Sequence, residues 1–153
     1  LVCPRISEEW QLLIAGDGEL REELQRQIDG YGLSARIVLM GNVSDMHTLY
    51  RSADIMAMTS RYEGLPMALV EAQACALPIV AMTCKCGPRD VVTDGVDGLL
   101  VDEGDISGMA DALCRMISDD SLRRTMGDEA LKASARYDED RIMRRWVELF
   151  EKR

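Results

Sequence analysis

Aromatic and histidine side chains are scarce in this sequence, and long hydrophobic segments are missing. Aromatic residues make up 5% of the 153 residues, and there is one histidine. No apolar run approaches the roughly 20 residues that a membrane-spanning helix requires. Cys84 and Cys86 are separated by one residue rather than the two to four typical of zinc pairs, so with a single histidine we expect no metal site. The 47% hydrophobic content is sufficient for a core and excludes an intrinsically disordered chain.

Basic residues are also scarce compared with acidic ones. The chain has 18 Lys and Arg residues and 27 Asp and Glu residues, which gives a formal net charge of −9. This charge disfavours nucleic-acid binding, because contact with a phosphate backbone requires a basic surface. A phosphate-bearing ligand would therefore need a local site that works against the overall field. The five cysteines, an odd number at irregular spacings, indicate buried thiols in a reducing, cytoplasmic environment.

The beginning of the sequence indicates a piece of a longer protein. The chain starts without methionine, and its first ten residues pass directly into a strand-like pattern. Its length corresponds to one domain, which we assign to residues 1–153.

Short apolar runs alternate with helix-like patterns along the chain. The runs are typical of buried strands, because they are continuous rather than alternating in polarity. This order predicts an α/β fold with a doubly wound, Rossmann-like parallel sheet that helices cover on both faces. Ligands of such sheets bind beyond the carboxyl ends of the strands. The predicted strands are 11–15, 37–40, 55–58, 79–82 and 98–101; the predicted helices are about 20–31, 46–52, 67–76 and 106–117, then one capped by Ser121 and a last one over 142–150.

Smaller features predict caps, surface and core. Gly32 is expected to end the first helix in a left-handed conformation. His47 is predicted at an exposed helical position, and the acidic residues within 102–105 are predicted to cap the next helix. Trp146 and Phe150 belong to an apolar stripe of the last helix, for which core packing is predicted. Contact with a missing half of the protein is the alternative for this stripe.

The first glycine-rich loop, "AGDGEL", joins a strand to a helix. Gly16 would let a ligand approach the backbone closely, because no Cβ atom stands in the way. A dinucleotide-binding fingerprint would require a third glycine at the position of Arg21. A dehydrogenase-type cofactor domain is therefore disfavoured. A tight turn that binds no ligand remains the alternative.

A second loop, "SRYEGLPMALVEA", carries two glutamates, Glu63 and Glu71, on either side of a predicted helix start. Pro66 suits the first helical position, since its missing N–H would have no partner there. The N–H groups of Met67 and Ala68 would then point out of the positive end of the helix, which is a ready anion site. The two carboxylates would flank a ligand with a phosphate in the middle and hydroxyl groups at both ends. A nucleotide sugar has this layout.

Glu71 lies on a helix that is otherwise almost entirely apolar. A carboxylate in such surroundings needs a hydrogen-bond donor, because burial without one costs several kcal/mol. Two neighbouring sugar hydroxyls could supply such donors to both carboxylate oxygens. The alternative is a structural ion pair with Arg61 or Arg89.

Several segments together resemble one family. They are "WQLLIAGDG", "LMGNVSDMHTLYRSADIMAMTSRYEGLPMALVEAQACALPIVA", "GPRDVVTDGVDGLLV" and the closing helices. From about Trp10 to the C-terminus, the chain resembles the C-terminal, donor-binding domain of retaining glycosyltransferases with the GT-B fold, the glycogen-synthase-like group 1 family. The resemblance implies a hexosyltransferase-type enzyme that uses a nucleoside diphosphate sugar and needs no bound metal or cofactor. The segment "CKCGPRD" is similar to versions in bacterial capsule and exopolysaccharide enzymes that use UDP-sugars.

The resemblance also implies roles for individual residues. Glu63 is expected to contact the hydroxyls of the donor sugar as the catalytic residue, and Glu71 to bind the ribose of the nucleotide. Gly16 would allow close approach of the donor, and the loop around Val43 would border the nucleobase. The residues expected against the pyrophosphate or sugar, through their backbone N–H groups except at the proline, are Gly64, Leu65, Pro66 and Met67. Apart from the resemblance, we predict from their place near the site that three side chains supply positive charge: Arg61, Lys85 and Arg89.

Some features that members of the family usually have are missing from this sequence. An upstream Arg and Lys that clamp the diphosphate are absent, as is the N-terminal domain that binds a polysaccharide or lipid-linked acceptor. We therefore expect little or no transfer activity from the chain alone, and a full-length enzyme that is cytoplasmic or peripheral at the inner membrane. Ala76 stands where the family usually has glycine, and Asp90 where it often has glutamate. A stand-alone, non-catalytic nucleotide-binding or regulatory module is the alternative function.

Overall fold

The computed structural model describes Ile6 and residues 9–151. The strand-like pattern of the first ten residues lies mostly outside this described part. The chain divides into two compact units, residues 7–46 and residues 47–153 together with 1–6. Each unit has a parallel sheet and helices, so the predicted α/β class is confirmed. The strands pair in two separate sheets rather than in one.

The described part of the smaller unit has two strands and one helix. β1 (Leu12–Ala15) pairs in parallel with β2 (Ile37–Gly41), and α1 (Arg21–Gly30) connects them. Because one helix can cover only one face of a two-stranded sheet, the predicted burial of both faces is wrong for β1 and β2. The apolar strand residues that are 37–39% exposed are Leu12, Leu13, Val38 and Met40.

Local chemistry explains how α1 begins and ends. Gly32 has φ +68°, so the predicted left-handed end of the helix is confirmed. The following N–H, that of Leu33, donates to the carbonyl of Ile28 at 3.0 Å. At the other end, the Nη2 group of Arg21 donates to the carbonyl of Leu39 at 2.8 Å. Arg21, which stands where a dinucleotide fingerprint has its third glycine, therefore links α1 to β2 by a hydrogen bond.

The sheet of the larger unit has three parallel strands. β3 (Met56–Met58) and β5 (Gly98–Val101) flank β4 (Ile79–Met82). The strands and the longer helices lie within a few residues of their predicted positions. α4 lies between the predicted strands 79–82 and 98–101, where no helix was predicted. The helices are α2 (Met46–Ser52), α3 (Met67–Ala74), α4 (Pro88–Val91), α5 (Ile106–Ser118), α6 (Asp120–Ser134) and α7 (Glu139–Glu151), with a 3-10 helix over Ala135–Tyr137.

The central strand β4 is buried on both faces. Ile79, Val80 and Ala81 are all 0% exposed. Successive side chains of a strand point to opposite faces. Accordingly, Ile79 and Ala81 pack in one apolar cluster with Leu69 of α3, whereas Val80 packs in another with Met116 of α5. The prediction of a parallel sheet covered on both faces is therefore confirmed for β4.

The helix caps were predicted with mixed success. Asp105 caps α5 as expected, since its Oδ1 accepts the N–H of Gly108 at 2.8 Å. The cap of α6 is Asp119 rather than Ser121. Asp119 lies in extended backbone and its Oδ1 accepts the N–H of Leu122 at 2.9 Å, which leaves Ser121 inside the helix.

The apolar stripe of α7 does not lie in the core. Trp146 is 49% exposed and Phe150 is 65% exposed. Their rings stack on each other with centroids 5.8 Å apart. Nothing in the described part of the chain buries this stripe, so the prediction of core packing is wrong. Neither α7 nor any other described helix has the length and apolar composition to cross a bilayer.

Candidate functional site

Most of the predicted site residues lie in the loop that follows β3. Residues 59–66, the glutamate loop, connect the carboxyl end of β3 to α3. Residues 83–87, the cysteine loop, leave the neighbouring strand β4 at the same edge of the sheet, because the two strands are parallel. Ligands of parallel sheets bind at this edge.

Gly87 allows the two loops to come into contact. It has φ +104°, and a Cβ atom at this position would lie 2.9 Å from the Cβ of Glu63 and 3.0 Å from the Cδ of Pro66. Both the backbone conformation and the close approach therefore require glycine. Gly87 is not among the residues predicted from the sequence. The available signal is its place immediately before Pro88, the first residue of α4.

The backbone at the start of α3 is arranged as an open helix end. Pro66 is buried and is the N-cap residue, so its predicted place at the first helical position is wrong by one residue. The carbonyl of Pro66 accepts the N–H groups of Leu69 at 2.9 Å and of Val70 at 3.4 Å. The N–H groups of Met67 and Ala68 precede these bonds and lie at the positive end of the helix dipole.

The side chains around this helix end are accessible. Gly64 has no neighbouring atom within 4 Å of the position of a Cβ. Leu65 is 50% exposed and Met67 is 54% exposed. Glu63 is partly exposed, and within residues 9–151 it takes part in no ion pair. The carboxylate of Glu63 is therefore open to a ligand.

Glu71 lies on the second turn of α3, and its side chain is exposed rather than buried. Its Oε2 accepts a hydrogen bond from the hydroxyl of Tyr50 at 3.2 Å. Tyr50 is 6% exposed, and both this burial and the nearby carboxylate raise its pKa to about 12. The alternative of an ion pair with Arg61 or Arg89 is wrong for the described part of the chain.

The three predicted cations differ in their surroundings. Arg61, on the glutamate loop, and Lys85, on the cysteine loop, are exposed. Arg89 donates through Nη2 to the hydroxyl of Thr83 and to a carboxylate oxygen of Asp102, both at 3.3 Å. Because Arg89 already has an acidic partner, Arg61 and Lys85 are the better candidates for contact with an anion.

Gly16 and Val43 belong to the smaller unit, whereas the residues described above belong to the larger unit. Each lies in a loop beyond the carboxyl end of a strand, Gly16 after β1 and Val43 after β2. Gly16 has φ +130° with open space where a Cβ would lie, so its backbone is accessible. Its N–H donates to the carbonyl of Gly41 at 2.8 Å. His47, at the start of the larger unit, is exposed as predicted.

The described residues contain no group of three or more His, Cys, Asp or Glu side chains placed to hold a metal ion. The described cysteines Cys75, Cys84, Cys86 and Cys114 are free thiols. The predicted burial is confirmed for Cys84, whereas Cys75 and Cys114 are partly exposed and Cys86 is exposed, so the predicted burial is wrong for Cys86. Cys3 lies outside the described residues. Cys84 donates through its Sγ to the carbonyl of Cys86 at 2.9 Å, a contact inside the cysteine loop.

Comparison with known proteins adds independent information on the family. The sequence profile described as "Glycosyl transferases group 1" matches residues 2–133. The amylovoran biosynthesis glycosyltransferase AmsD of Erwinia amylovora is 38% identical over 140 residues, which cover 92% of this chain and 39% of that protein. The chain spans between 15% and 39% of the length of the first three curated relatives.

Solved structures of similar fold agree with the sequence matches. The structure of Anabaena Alr3699/HepE in complex with UDP-glucose has a TM-score of 0.85 at 29% identity, and the match covers 94% of this chain and 41% of that chain. The C-terminal domain of a group 1 glycosyltransferase, LpcC of Francisella tularensis, has a TM-score of 0.76 at 25% identity, covering 85% and 71%. The predicted resemblance and the Rossmann-like fold class are thereby confirmed. The chain belongs to the glycosyl transferases group 1 family.

Proposed function

We propose that this chain binds a UDP-sugar donor in a retaining, metal-independent glycosyltransferase that transfers the sugar to a polysaccharide or glycolipid acceptor. One observation carries the proposal. The open N-terminus of α3 has a carboxylate on each side, Glu63 before it and Glu71 within the helix, and neither forms an ion pair in the described part of the chain. An anion flanked by hydroxyl-bearing groups suits this arrangement.

The diphosphate of the donor would lie against the start of α3. The N–H groups of Met67 and Ala68, with the backbone of residues 64–65, would donate to phosphate oxygens at the positive end of the helix dipole. Arg61 and Lys85 would add positive charge from the two adjacent loops. This local charge is needed because the chain as a whole carries −9 and repels an anion.

The two carboxylates would bind the hydroxyl groups at the two ends of the donor. Glu71 would accept hydrogen bonds from the ribose hydroxyls, which form strong bonds to an ionised carboxylate. Glu63 would act as the catalytic residue by holding hydroxyls of the transferred sugar. Pro66 would set the spacing between them, since it links the glutamate loop to α3.

Two residues of the smaller unit are also proposed as donor contacts. Gly16 would allow the donor to approach the backbone, which is open at this position. The loop around Val43 would border the nucleobase. Both positions lie beyond the carboxyl ends of their strands, where ligands of parallel sheets bind.

Catalysis in the whole enzyme would rest on positioning and on stabilisation of the departing diphosphate. Negative charge develops on the diphosphate as the glycosidic bond breaks, and the helix end and the nearby cations would stabilise it without a metal ion. The acceptor would be presented by an N-terminal domain outside this chain. The UDP-glucose complex of the Anabaena protein and the glycosyltransferase from Erwinia support the class of donor and reaction.

Calorimetric titration tests the proposal directly. We expect the chain to bind UDP-sugars more tightly than GDP- or ADP-sugars, and Glu71→Ala to weaken UDP-sugar binding by about 10- to 100-fold. This range corresponds to the loss of charge-assisted hydrogen bonds worth about 1.5–3 kcal/mol. Glu103→Ala, which removes an exposed glutamate on the loop before α5, is the matched control and should bind as the unchanged chain does. Equal binding by Glu71→Ala and the unchanged chain would remove the ribose role.

A further inference from the structure

The hydrogen bond between Tyr50 and Glu71 links two helices of the larger unit. Tyr50 lies near the end of α2, and its hydroxyl donates to the Oε2 of Glu71 on α3 at 3.2 Å. The aromatic ring is almost fully buried, whereas the carboxylate that it holds is exposed. The bond therefore connects the core of the unit to a side chain on its surface.

A merely structural hydroxyl would be expected to donate to another buried group. Buried polar groups in proteins are nearly always hydrogen-bonded, because a lost partner cannot be replaced by water. Here the acceptor is exposed to solvent, and water could satisfy Glu71 without Tyr50. The bond thus gives the hydroxyl of buried Tyr50 an acceptor, and at the exposed carboxylate it adds a restriction of orientation that Glu71 itself does not need.

The restriction leaves Oε1, and a second lone pair of Oε2, free to accept hydrogen bonds from a ligand. An exposed glutamate has several side-chain conformations, and selecting one of them costs conformational entropy on binding. Tyr50 engages Oε2, and no group of the described chain donates to Oε1. Burial raises the pKa of Tyr50 to about 12, so the hydroxyl keeps its proton and remains a donor at neutral pH.

We propose that Tyr50 is a positioning residue that fixes the carboxylate of Glu71 for recognition of the two hydroxyls of a ribose. This inference rests on the proposed function, because it assigns to Tyr50 the preorganisation of the same nucleotide contact. Tyr50 touches neither the phosphates nor the sugar in this assignment and acts only through Glu71.

The test compares two nucleotides that differ only in the ribose hydroxyls. UDP and 2′,3′-dideoxyuridine diphosphate are titrated calorimetrically against the unchanged chain, Tyr50→Phe, Glu71→Ala and the double variant. We expect the preference of the unchanged chain for UDP to fall by about three- to tenfold in Tyr50→Phe, with the affinity for the dideoxynucleotide unchanged. The double variant should match Glu71→Ala, because Tyr50 has no effect without its acceptor.

Tyr137→Phe is the matched control. It also removes a tyrosine hydroxyl that donates at 3.2 Å, in this case to the carbonyl of Asp90 rather than to a carboxylate. Its preference for UDP should equal that of the unchanged chain. A Tyr50→Phe variant that keeps the full preference, or that weakens both nucleotides equally, overturns the proposal.

Two further outcomes separate this inference from the proposed function. If the unchanged chain binds neither nucleotide, or if Glu71→Ala keeps the preference for UDP, the proposed function itself fails. If Glu71→Ala loses the preference while Tyr50→Phe keeps it, only the role of Tyr50 fails. A fall of more than about 10 °C in the melting temperature of Tyr50→Phe would assign the hydroxyl to the fold and also overturn the proposal.

Discussion

Ala76 has a backbone conformation that suits glycine better than alanine. Its φ is +57°, the one positive value at a non-glycine residue in the described chain. The N–H of Ala76 donates to the carbonyl of Gln73, and the N–H of Leu77 donates to the carbonyl of Ala72, both at 3.0 Å. This is the bonding pattern of a Schellman helix end. The residue at this position is usually glycine, because a Cβ atom is strained there. The departure from the family noted in the sequence thus has a structural cost.

Ala76→Gly is expected to stabilise the chain. Removing the strained Cβ should raise the free energy of unfolding by about 1 kcal/mol, or the melting temperature by about 2–4 °C. The turn cannot easily relax instead, because the Ala76 carbonyl packs closely against Gly127 of α6. Ala74→Gly, at an exposed position within α3, is the control and should destabilise by about 0.5–1 kcal/mol. Thermal melting of both variants would contradict this account if the two shifts had the same sign.

Asp97 is a buried carboxylate that we expect to make the stability of the fold depend on pH. Its side chain is 2% exposed, and its Oδ1 accepts the N–H of Thr93 at 2.7 Å. Burial raises the pKa of this carboxyl above 3.8, although the Thr93 N–H and nearby Arg136 oppose the shift. The folded chain therefore binds this proton more tightly than the unfolded chain. The stabilisation from Asp97 is largest below the unfolded pKa and is lost as the pH rises through the folded pKa.

Asp97→Asn should remove this dependence, because the amide oxygen can still accept the Thr93 N–H but carries no charge. The free energy of unfolding of Asp97→Asn, relative to the unchanged chain, should therefore increase from about pH 4 to pH 7. Urea titrations at several pH values measure this difference. A difference that stays constant, or that decreases toward neutral pH, would show that burying the charge of Asp97 does not destabilise the folded chain.

At the level of the helices, periodicity predicted where amphipathic helices lie but not what covers them. α5 buries Met109 and Ala110, which belong to an apolar stripe with i, i+3, i+4 spacing, whereas the stripe of α7 leaves Trp146 and Phe150 exposed. Both stripes have the same spacing in the sequence, so the difference depends on which elements pack nearby. Such packing involves contacts between distant parts of the chain, which spacing alone does not encode.

The candidate site likewise combines elements that the local sequence predicted with long-range contacts that it did not. The glutamate loop and α3 could be located from the sequence, because parallel strands bring their carboxyl ends to one edge of the sheet. The Tyr50–Glu71 bond joins residues 21 positions apart, and the contact of Gly87 with Glu63 joins two different loops. Neither contact follows from a local pattern. The sequence therefore indicated the proposed ligand contacts but not the residues that support them.

Across the whole molecule, the two units differ in how well their strands are covered. Helices pack on both faces of β4 in the larger unit, as the apolar run of β4 predicted. The strands of the smaller unit have similar apolar runs, yet their side chains are partly exposed. Continuous apolar sequence thus indicates a strand that could be buried, but the number of helices beside it decides whether it is.

This difference predicts unequal protection against hydrogen exchange. Val80 at the centre of β4 is 0% exposed and Val38 in β2 is 38% exposed, although both are strand valines in parallel sheets. Amides exchange through opening reactions whose free energy depends on the apolar surface that opening exposes. We expect the amides of β4 to exchange at least about tenfold more slowly than those of β1 and β2, which corresponds to about 1.4 kcal/mol in opening free energy. Native-state exchange followed by mass spectrometry or NMR measures both sets in one sample. Equal protection in β2 and β4 would mean that the two sheets open together and that the exposed strand residues do not weaken the smaller unit.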